Sequence, residues 1–223
     1  GHDLDTRGVE TVAVFPAGTF NHFARDIGCG TVDTTIDAIR SGSASRVDAM
    51  WLNDSRLILN TASIGAHPDF VRVRRRLQRR ISRPLATAAA VLHVLRKDPH
   101  VRIEVEGRVL DASLFLVGNS IYQPTGFLPS RRIRLDDGLL DVRILETSHR
   151  WATLRLLGSL ALGRLERSHL YHEMQVPEFR FTAVDGPVAV SHDGEVEESF
   201  SQADFRVDYR VLKVFRPVGR ERP

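Results

Sequence analysis

Cysteine is almost absent from this sequence, since Cys29 is the only one among 223 residues. An intrachain disulfide and a cysteine-based zinc site are therefore excluded, which fits a reducing compartment. Long hydrophobic runs are also missing: the longest apolar stretches, residues 84–92 and 156–162, fall short of the roughly 18 to 20 residues that span a bilayer. The sequence predicts neither a disulfide scaffold nor a membrane-spanning helix.

A strong net charge is missing too, because 31 basic and 28 acidic residues leave only +3. The 42% hydrophobic and 26% charged residues are ordinary for a globular protein. The charges are nevertheless segregated, since residues 72–83 contain no acid and residues 185–204 contain no Lys or Arg. The first segment could meet anions and the second could hold cations or protons.

The hydrophobic pattern near the start of the chain predicts an α/β unit. An apolar run at residues 9–15 predicts a strand, which ends at a Pro-Ala-Gly-Thr turn. Apolar residues at helical spacing then predict a helix over residues 20–27, with Thr19 as its cap. A second helix is predicted over residues 32–40, ending at Gly42.

After residue 45 the pattern changes to short β-rich runs separated by turn signals such as Asn53-Asp54. We expect these runs to form an antiparallel sandwich, interrupted by helical stretches at residues 68–97 and 150–165. The predicted strands are residues 46–52, 56–63, 101–105, 109–117, 139–145, 178–183, 188–191 and 204–215. The fold class is therefore α+β, mainly antiparallel.

The turn at Gly18, Thr19 and Asn21 lies where the first predicted strand passes to a helix. Backbone N–H groups at a helix start can bind an anion, and a glycine allows a phosphate or sugar to approach. An ordinary turn with a threonine cap explains the same residues. The glycines are too few for a P-loop or a dinucleotide fingerprint.

Two acidic glycine turns are candidates for metal binding or acid–base work. Residues 136–141 contain three carboxylates around Gly138, and Asp137 with neighbouring carbonyls would suit Mg²⁺ or Ca²⁺. In the second turn, residues 192–195, Glu195 or Asp193 could accept a hydroxyl proton in phosphoryl transfer or help to hold Mg²⁺. A solvated hairpin turn is the alternative in both cases.

A dense cationic segment precedes an apolar helical stretch. An anionic membrane surface is its natural partner, whereas a nucleic-acid groove would favour interleaved aromatic residues, and none lies between Phe70 and Phe115. A solvated charged face is the alternative. The arginines are Arg72, Arg74, Arg75, Arg76, Arg79, Arg80 and Arg83.

The order of the motifs resembles that of the bacterial diacylglycerol kinase family, which is related to sphingosine kinases and more distantly to NAD kinases. The resemblance covers roughly residues 9–217. The motifs are Phe15-Pro16-Ala17-Gly18-Thr19-Phe20-Asn21-His22-Phe23-Ala24-Arg25-Asp26-Ile27-Gly28, Asn60-Thr61-Ala62-Ser63-Ile64-Gly65, Val117-Gly118-Asn119-Ser120, Asp136-Asp137-Gly138-Leu139-Leu140-Asp141-Val142 and His192-Asp193-Gly194-Glu195.

The resemblance implies two lobes, with ATP and lipid meeting between them: part of an α/β nucleotide-binding lobe over residues 1–44, a β-sandwich substrate lobe over residues 45–217, and a tail over residues 218–223. It implies ATP- and Mg²⁺-dependent phosphorylation of a lipid hydroxyl, in the cytoplasm at the inner face of the membrane. Gly18, Thr19 and Asn21 match the nucleotide-contacting turn, Asp137 matches a structural Mg²⁺ site, and Glu195 matches the general base, with Asp193 the next candidate.

The sequence departs from the family pattern in two places. His22 stands where many relatives have an aspartate, and the Gly-Gly-Asp-Gly-Thr loop that cradles the ATP phosphates does not occur among these residues. We therefore expect a fragment without turnover on its own, because phosphoryl transfer depends on positioning. Uncovered apolar side chains in residues 9–42 would favour self-association, for example as a homodimer.

Two alternatives to a lipid kinase remain from the sequence. A non-catalytic lipid-binding or regulatory module would keep the sandwich without the phosphate loop. A kinase of a soluble substrate, related to NAD kinase, would use the same cleft but has no evident use for the arginine segment.

Overall fold

The computed structural model describes residues 10–18, 21–65, 76, 89, 101–123, 131–146, 170–193 and 195–217. The helices in these ranges are α1 (His22–Asp26) and α2 (Val32–Ser41). The strands are β1 (Ala44–Leu52), β2 (Arg56–Ile58), β3 (Thr61–Gly65), β4 (Val101–Val105), β5 (Arg108–Asn119), β6 (Tyr122–Gln123), β7 (Arg131–Arg132), β8 (Leu140–Glu146), β9 (Tyr171–Val176), β10 (Glu178–Ala183), β11 (Val188–His192), β12 (Glu195–Phe200) and β13 (Gln202–Phe215).

Eleven of the strands in the described ranges form one sheet, whose pairs are antiparallel. The strand order is β12-β11-β3-β5-β4-β10-β13-β1-β2, and β8 pairs with both β5 and β9. β1 and β5 are not hydrogen-bonded neighbours, nor are β8 and β10, yet each pair is in contact. The sheet therefore bends around a shared core, and the expected fold class, mainly antiparallel, is confirmed.

Aromatic side chains occupy the centre of this core. The ring of Phe115 on β5 lies 5.4 Å from that of Phe179 and 5.6 Å from that of Phe181, both on β10. Because β4 lies between β5 and β10 in the sheet, these contacts cross the interior rather than follow a pair of neighbouring strands. Phe181 also stacks on Phe205 of β13 at 6.4 Å. Burial and favourable ring geometry both stabilise the bend.

A second, smaller core joins the two helices to one side of the sheet. Phe23 of α1, the C-cap residue Ile27 and Ala38 of α2 pack with Val47 of β1 and Val214 of β13. α2 has a capping box, because the Thr31 hydroxyl accepts the N–H of Thr34 and the Thr34 hydroxyl accepts the N–H of Thr31. Residues 21–43 are thus attached to the sheet. The expected uncovered apolar side chains are also present, as Val12, Phe15, Val32 and Ile39 are exposed.

The predicted strand over residues 9–15 is wrong for the described part of that range. Only Val12 pairs, in a parallel bridge with Val214. The pairing with β13 does not continue beyond this bridge, because β13 ends at Phe215 and Pro217 has no N–H to donate. The helix over residues 32–40 is confirmed, whereas the predicted helical stretches 68–97 and 150–165 lie outside the described residues except for Arg76 and Ala89, both helical.

Across the described residues, no helix combines the length and apolar character needed to cross a membrane.

Candidate functional site

The hairpin between β11 and β12 is attached to the β2–β3 turn through Asp193. Its carboxylate accepts backbone N–H groups from Leu59, Asn60 and Thr61 at 2.8, 2.7 and 3.1 Å. The N–H of Asp193 itself donates to the Thr61 carbonyl at 2.9 Å. Asp193 also adopts a positive φ of 49°, which Asp tolerates better than most residues. The acid predicted as the second base candidate therefore anchors the hairpin to a distant turn.

Glu195, the first base candidate, is the first residue of β12 and pairs with His192 of β11. Its backbone is described and its side chain is not. Because it follows the anchored Asp193 by two residues, the position of its backbone depends on the same hydrogen bonds. The hairpin predicted from the His-Asp-Gly-Glu motif is confirmed.

The acidic turn between β7 and β8 has different partners for its two adjacent aspartates. Asp137 accepts the N–H of Ile121 on one carboxylate oxygen at 3.0 Å and that of Leu139 on the other at 3.2 Å. Asp136 pairs with Arg210 and, at 3.3 Å, with Arg134. Partial burial opposes ionisation of Asp136, but the two arginines outweigh it and lower the pKa of this carboxyl.

Asp48 of β1 lies beneath this turn and is almost fully buried. Its two carboxylate oxygens accept the N–H groups of Gly138 and Arg210, each at 2.7 Å. Burial raises the pKa of Asp48 in spite of these two hydrogen bonds, with further repulsion from Asp137 and Asp136. Asp48 thus ties the acidic turn to an irregular stretch of β13, where Arg210 has a φ of 51°.

The two acidic turns are attached to the same place, the end of β5. There, Asn119 donates its backbone N–H to the Asn60 carbonyl at 2.9 Å, and its side-chain amide to the carbonyls of Asp48 and Leu59 at 3.0 and 3.2 Å. The next N–H, that of Ser120, donates to Leu139 at 2.9 Å. The Asp193 hairpin, the acidic turn and the β2–β3 turn therefore form one hydrogen-bonded unit.

Helix α1 joins this unit through Arg132, which is 2% exposed. Its Nε donates to the Asp26 carboxylate at 2.7 Å, and its Nη2 donates to the Asn60 side chain at 2.9 Å. Its Nη1 donates to the carbonyls of Leu59 and Asn119 at 2.6 and 3.1 Å. A buried guanidinium thus connects the first helix to the turn that Asp193 anchors.

The turn predicted to contact a nucleotide lies directly before α1. The N–H of Gly18 donates to the side-chain oxygen of Asn21 at 2.7 Å. Asn21 is also the N-cap residue of α1 and has a φ of 48°. Its amide therefore shapes the turn instead of capping the helix. Thr19, the third residue predicted here, lies outside the described residues.

Asp137 fits a single-carboxylate Mg²⁺ site. Each of its oxygens accepts one of the backbone N–H groups described above, which leaves lone pairs for a metal that also takes carbonyl and water oxygens. No cluster of three His, Cys, Asp or Glu side chains that could hold a metal occurs in the described part of the chain. Asp137 with main-chain carbonyls therefore stays a prediction.

The arginine segment lies almost entirely outside the described residues. Arg76, the one member that the structure describes, is helical and exposed. The membrane-binding assignment of the seven arginines stays a prediction.

Sequence reasoning did not single out Asp48 or Arg132. The sequence does contain a signal for the importance of Asp48, since it is the one charged residue in the apolar run of residues 47–52. A carboxylate inside a buried strand must be hydrogen-bonded. Arg132 had none, because it lies among three arginines in residues 131–134 and only the folded chain shows which of them is buried.

The fold and the site together place this chain in the class of β-sandwich-like domains. The sheet is antiparallel and bent, and it holds an acidic hairpin and an acidic turn at one end of β5. Residues 65–216 match the family described as the YegS C-terminal NAD kinase beta sandwich-like domain. The match covers more than half of the chain, which therefore belongs to this family of C-terminal domains of diacylglycerol and lipid kinases.

Individual relatives agree with this assignment. Proteins named "Probable lipid kinase YegS-like" from Pseudomonas aeruginosa strains UCBPP-PA14 and PAO1 are each 29% identical over 96% of this chain and 70% of their own length. Two solved structures of proteins named as diacylglycerol kinase, from Bacillus anthracis str. Sterne, share the fold. One has a TM-score of 0.63 and 19% identity, covering 92% of this chain and 69% of that chain, and the other has 0.56 and 17%, covering 94% and 68%.

Proposed function

We propose that this chain is part of an ATP-dependent lipid kinase of the diacylglycerol kinase type, which transfers the γ-phosphate of ATP to a lipid hydroxyl. Membership of the family supports the class of enzyme. The observation that carries the proposal is the convergence of the Asp193 hairpin, the acidic turn and α1 at the end of β5. Phosphoryl transfer depends mainly on such positioning of groups and charges.

In this proposal Glu195 is the general base and Asp193 is its anchor. The carboxylate of Asp193 accepts backbone N–H groups from Leu59, Asn60 and Thr61, so this side chain holds the hairpin to the β2–β3 turn. Glu195 would accept the proton of the lipid hydroxyl while the hydroxyl oxygen bonds to the γ-phosphorus and the bond to ADP breaks. The hydrogen bonds of Asp193, two residues before Glu195, would help to hold this carboxylate in one place during the transfer.

The nucleotide would lie against the turn of Gly18, Thr19 and Asn21. Asn21 already fixes the Gly18 backbone through its side chain, so these two residues are preorganised for a ligand. Mg²⁺, when bound at Asp137, would supply a positive charge that holds the acidic turn together. The chain's own contribution there is the pair of N–H groups from Ile121 and Leu139 that orient the Asp137 carboxylate.

The test of the base is Glu195→Gln in the complete kinase, assayed for diacylglycerol-dependent consumption of ATP. We expect kcat to fall about 10²-fold or more, because an amide cannot accept the proton. The matched control is Glu104→Gln, the same change at an exposed position of β4, for which we expect parental kcat. Activity of Glu195→Gln within about tenfold of the parent would contradict the assignment.

A further inference from the structure

Arg132 occupies the contact between the two parts of the proposed site. On one side it bonds to Asp26 of α1, five residues after the Asn21 turn. On the other side it bonds to the side chain of Asn60, whose backbone N–H donates to Asp193. The Arg132 side chain therefore contacts α1, the helix that follows the nucleotide turn. It also contacts the β2–β3 turn, to which Asp193 attaches the hairpin that bears Glu195.

The surroundings of Arg132 leave it little freedom to move. The Arg132–Asp26 ion pair is 2.7 Å long, with the arginine side chain 0% exposed and that of the aspartate 8%. The guanidinium carbon lies 5.7 Å from the ring centroid of Phe23 on α1 and 5.2 Å from that of Tyr122. Aromatic faces on two elements and hydrogen bonds in the guanidinium plane define one orientation.

A buried ion pair is weak evidence for stability, because desolvation of the two charges offsets their attraction. Specific geometry is the better explanation for its presence, since the planar fork of an arginine can hold several acceptors at fixed angles and a lysine cannot. The acceptors here belong to α1, the β2–β3 turn and β5, which are far apart in the sequence.

We propose that Arg132 is a positioning residue that sets the nucleotide turn and the Asp193–Glu195 hairpin in a fixed relation, through Asp26 on one side and Asn60 on the other. The catalytic consequence rests on the lipid kinase function proposed above. The physical link between the two elements does not, and it can be measured without activity.

The first experiment measures amide hydrogen exchange in the 223-residue chain. The reporters for α1 are the amides of Ile27 and Cys29, and those for the anchored turn are Asn60 and Thr61. We expect Arg132→Lys to speed exchange about tenfold or more in both sets, while core amides of β5 stay protected. Unchanged protection in either set, or an equal increase throughout β5, would overturn the proposal.

Two further variants separate positioning from general loss of packing. Asp26→Asn keeps the shape of the side chain and weakens only the contact between Arg132 and α1. It therefore tests the proposal even if Arg132→Lys does not fold. We expect it to speed exchange at Ile27 and Cys29, and protection retained there would overturn the proposal. The matched control is Arg143→Lys, an equally buried arginine paired with Asp141. It should leave the α1 amides protected, and an effect on them equal to that of Arg132→Lys would also overturn the proposal.

The second experiment measures kcat of the complete kinase with ATP and diacylglycerol in mixed micelles. We expect Asp26→Asn to lower kcat about tenfold or more at unchanged KM for the lipid, because misplacement of reacting groups costs rate. If kcat stays at the parental value, the positioning role is overturned. If the parent itself consumes no ATP with lipid, the proposed function fails. The hydrogen-exchange pattern still shows whether Arg132 links α1 to the β2–β3 turn.

Discussion

Gly118 on β5 has no room for a side chain. A Cβ at this position would lie 2.7 Å from Cε2 of the Tyr122 ring, which packs against Arg132 and whose hydroxyl reaches the Asn60 carbonyl at 3.3 Å. Gly118→Ala would therefore push the ring out of a buried site. The glycine of the Val-Gly-Asn-Ser motif serves the packing beneath the candidate site.

We expect Gly118→Ala to lower the free energy of unfolding by about 1–3 kcal/mol, the usual cost of overpacking. Denaturant unfolding of the purified chain measures it. Gly30→Ala is the control, because a Cβ there meets only an ordinary contact of 3.5 Å with Arg25. Equal stability of Gly118→Ala and the parent would show that Tyr122 moves without cost.

Asp48 makes stability depend on pH in a direction opposite to that of most carboxylates. Burial raises its pKa above the ordinary 3.8, so on titration the unfolded chain loses this proton before the folded chain does. The contribution of Asp48 is therefore greatest below the ordinary pKa and is lost as the pH rises through the raised folded value.

Comparison of the parent with Asp48→Asn isolates this effect, because the amide does not titrate. We expect the difference in free energy of unfolding, parent minus variant, to decrease as the pH rises from about 4 toward neutrality. Urea unfolding at a series of pH values measures it. A difference that grows over this range would mean that the hydrogen bonds from Gly138 and Arg210 outweigh burial.

Among the elements, those defined by local signals were predicted best. β4 and β10 have the predicted bounds, and α2 ends at the predicted Gly42. The predicted strand over residues 56–63 instead divides into β2 and β3 around Leu59 and Asn60. The reason is not local, because the N–H groups of these two residues turn toward Asp193, more than 130 residues away.

The β11–β12 hairpin should loosen when its anchor is changed. Asp193→Asn keeps a residue that tolerates a positive φ but places an amide donor among backbone N–H donors. We expect a loss of about 1 kcal/mol in the free energy of unfolding, together with faster amide exchange at Leu59, Asn60 and Thr61. Asp185→Asn, at another exposed turn, is the control. Unchanged exchange at the three amides would show that the carboxylate is not the anchor.

At the scale of the whole molecule, the bent sheet brings remote segments to one end of β5, and family membership makes a lipid the proposed substrate. An enzyme that acts on a lipid within a membrane must contact the membrane surface, and we propose that the arginines of residues 72–83 make this contact. Each basic side chain near anionic lipid contributes about 1 kcal/mol. Arg76, exposed in the structure, is compatible with this role.

Charge reversal tests the membrane surface. We expect the triple variant Arg75→Glu, Arg76→Glu and Arg79→Glu to lose most of its cosedimentation with vesicles containing phosphatidylserine. The matched control reverses three exposed arginines elsewhere, Arg40, Arg56 and Arg108, and makes the same change in net charge. Equal losses in both variants would indicate a general charge effect, and no loss in the first would remove the assignment.

The sequence by itself determined the antiparallel class, most strand and helix positions, and the location of the acidic turns. These features arise from short-range causes, namely alternation of side chains, helix caps and the turn preference of Asp-Gly pairs. Only the tertiary structure decided which residues join those turns into one hydrogen-bonded unit, namely Asp48, Asn60, Asn119 and Arg132. Their hydrogen bonds join residues such as Arg132 and Asp26, 106 positions apart, and no local pattern can specify which of several similar side chains becomes buried.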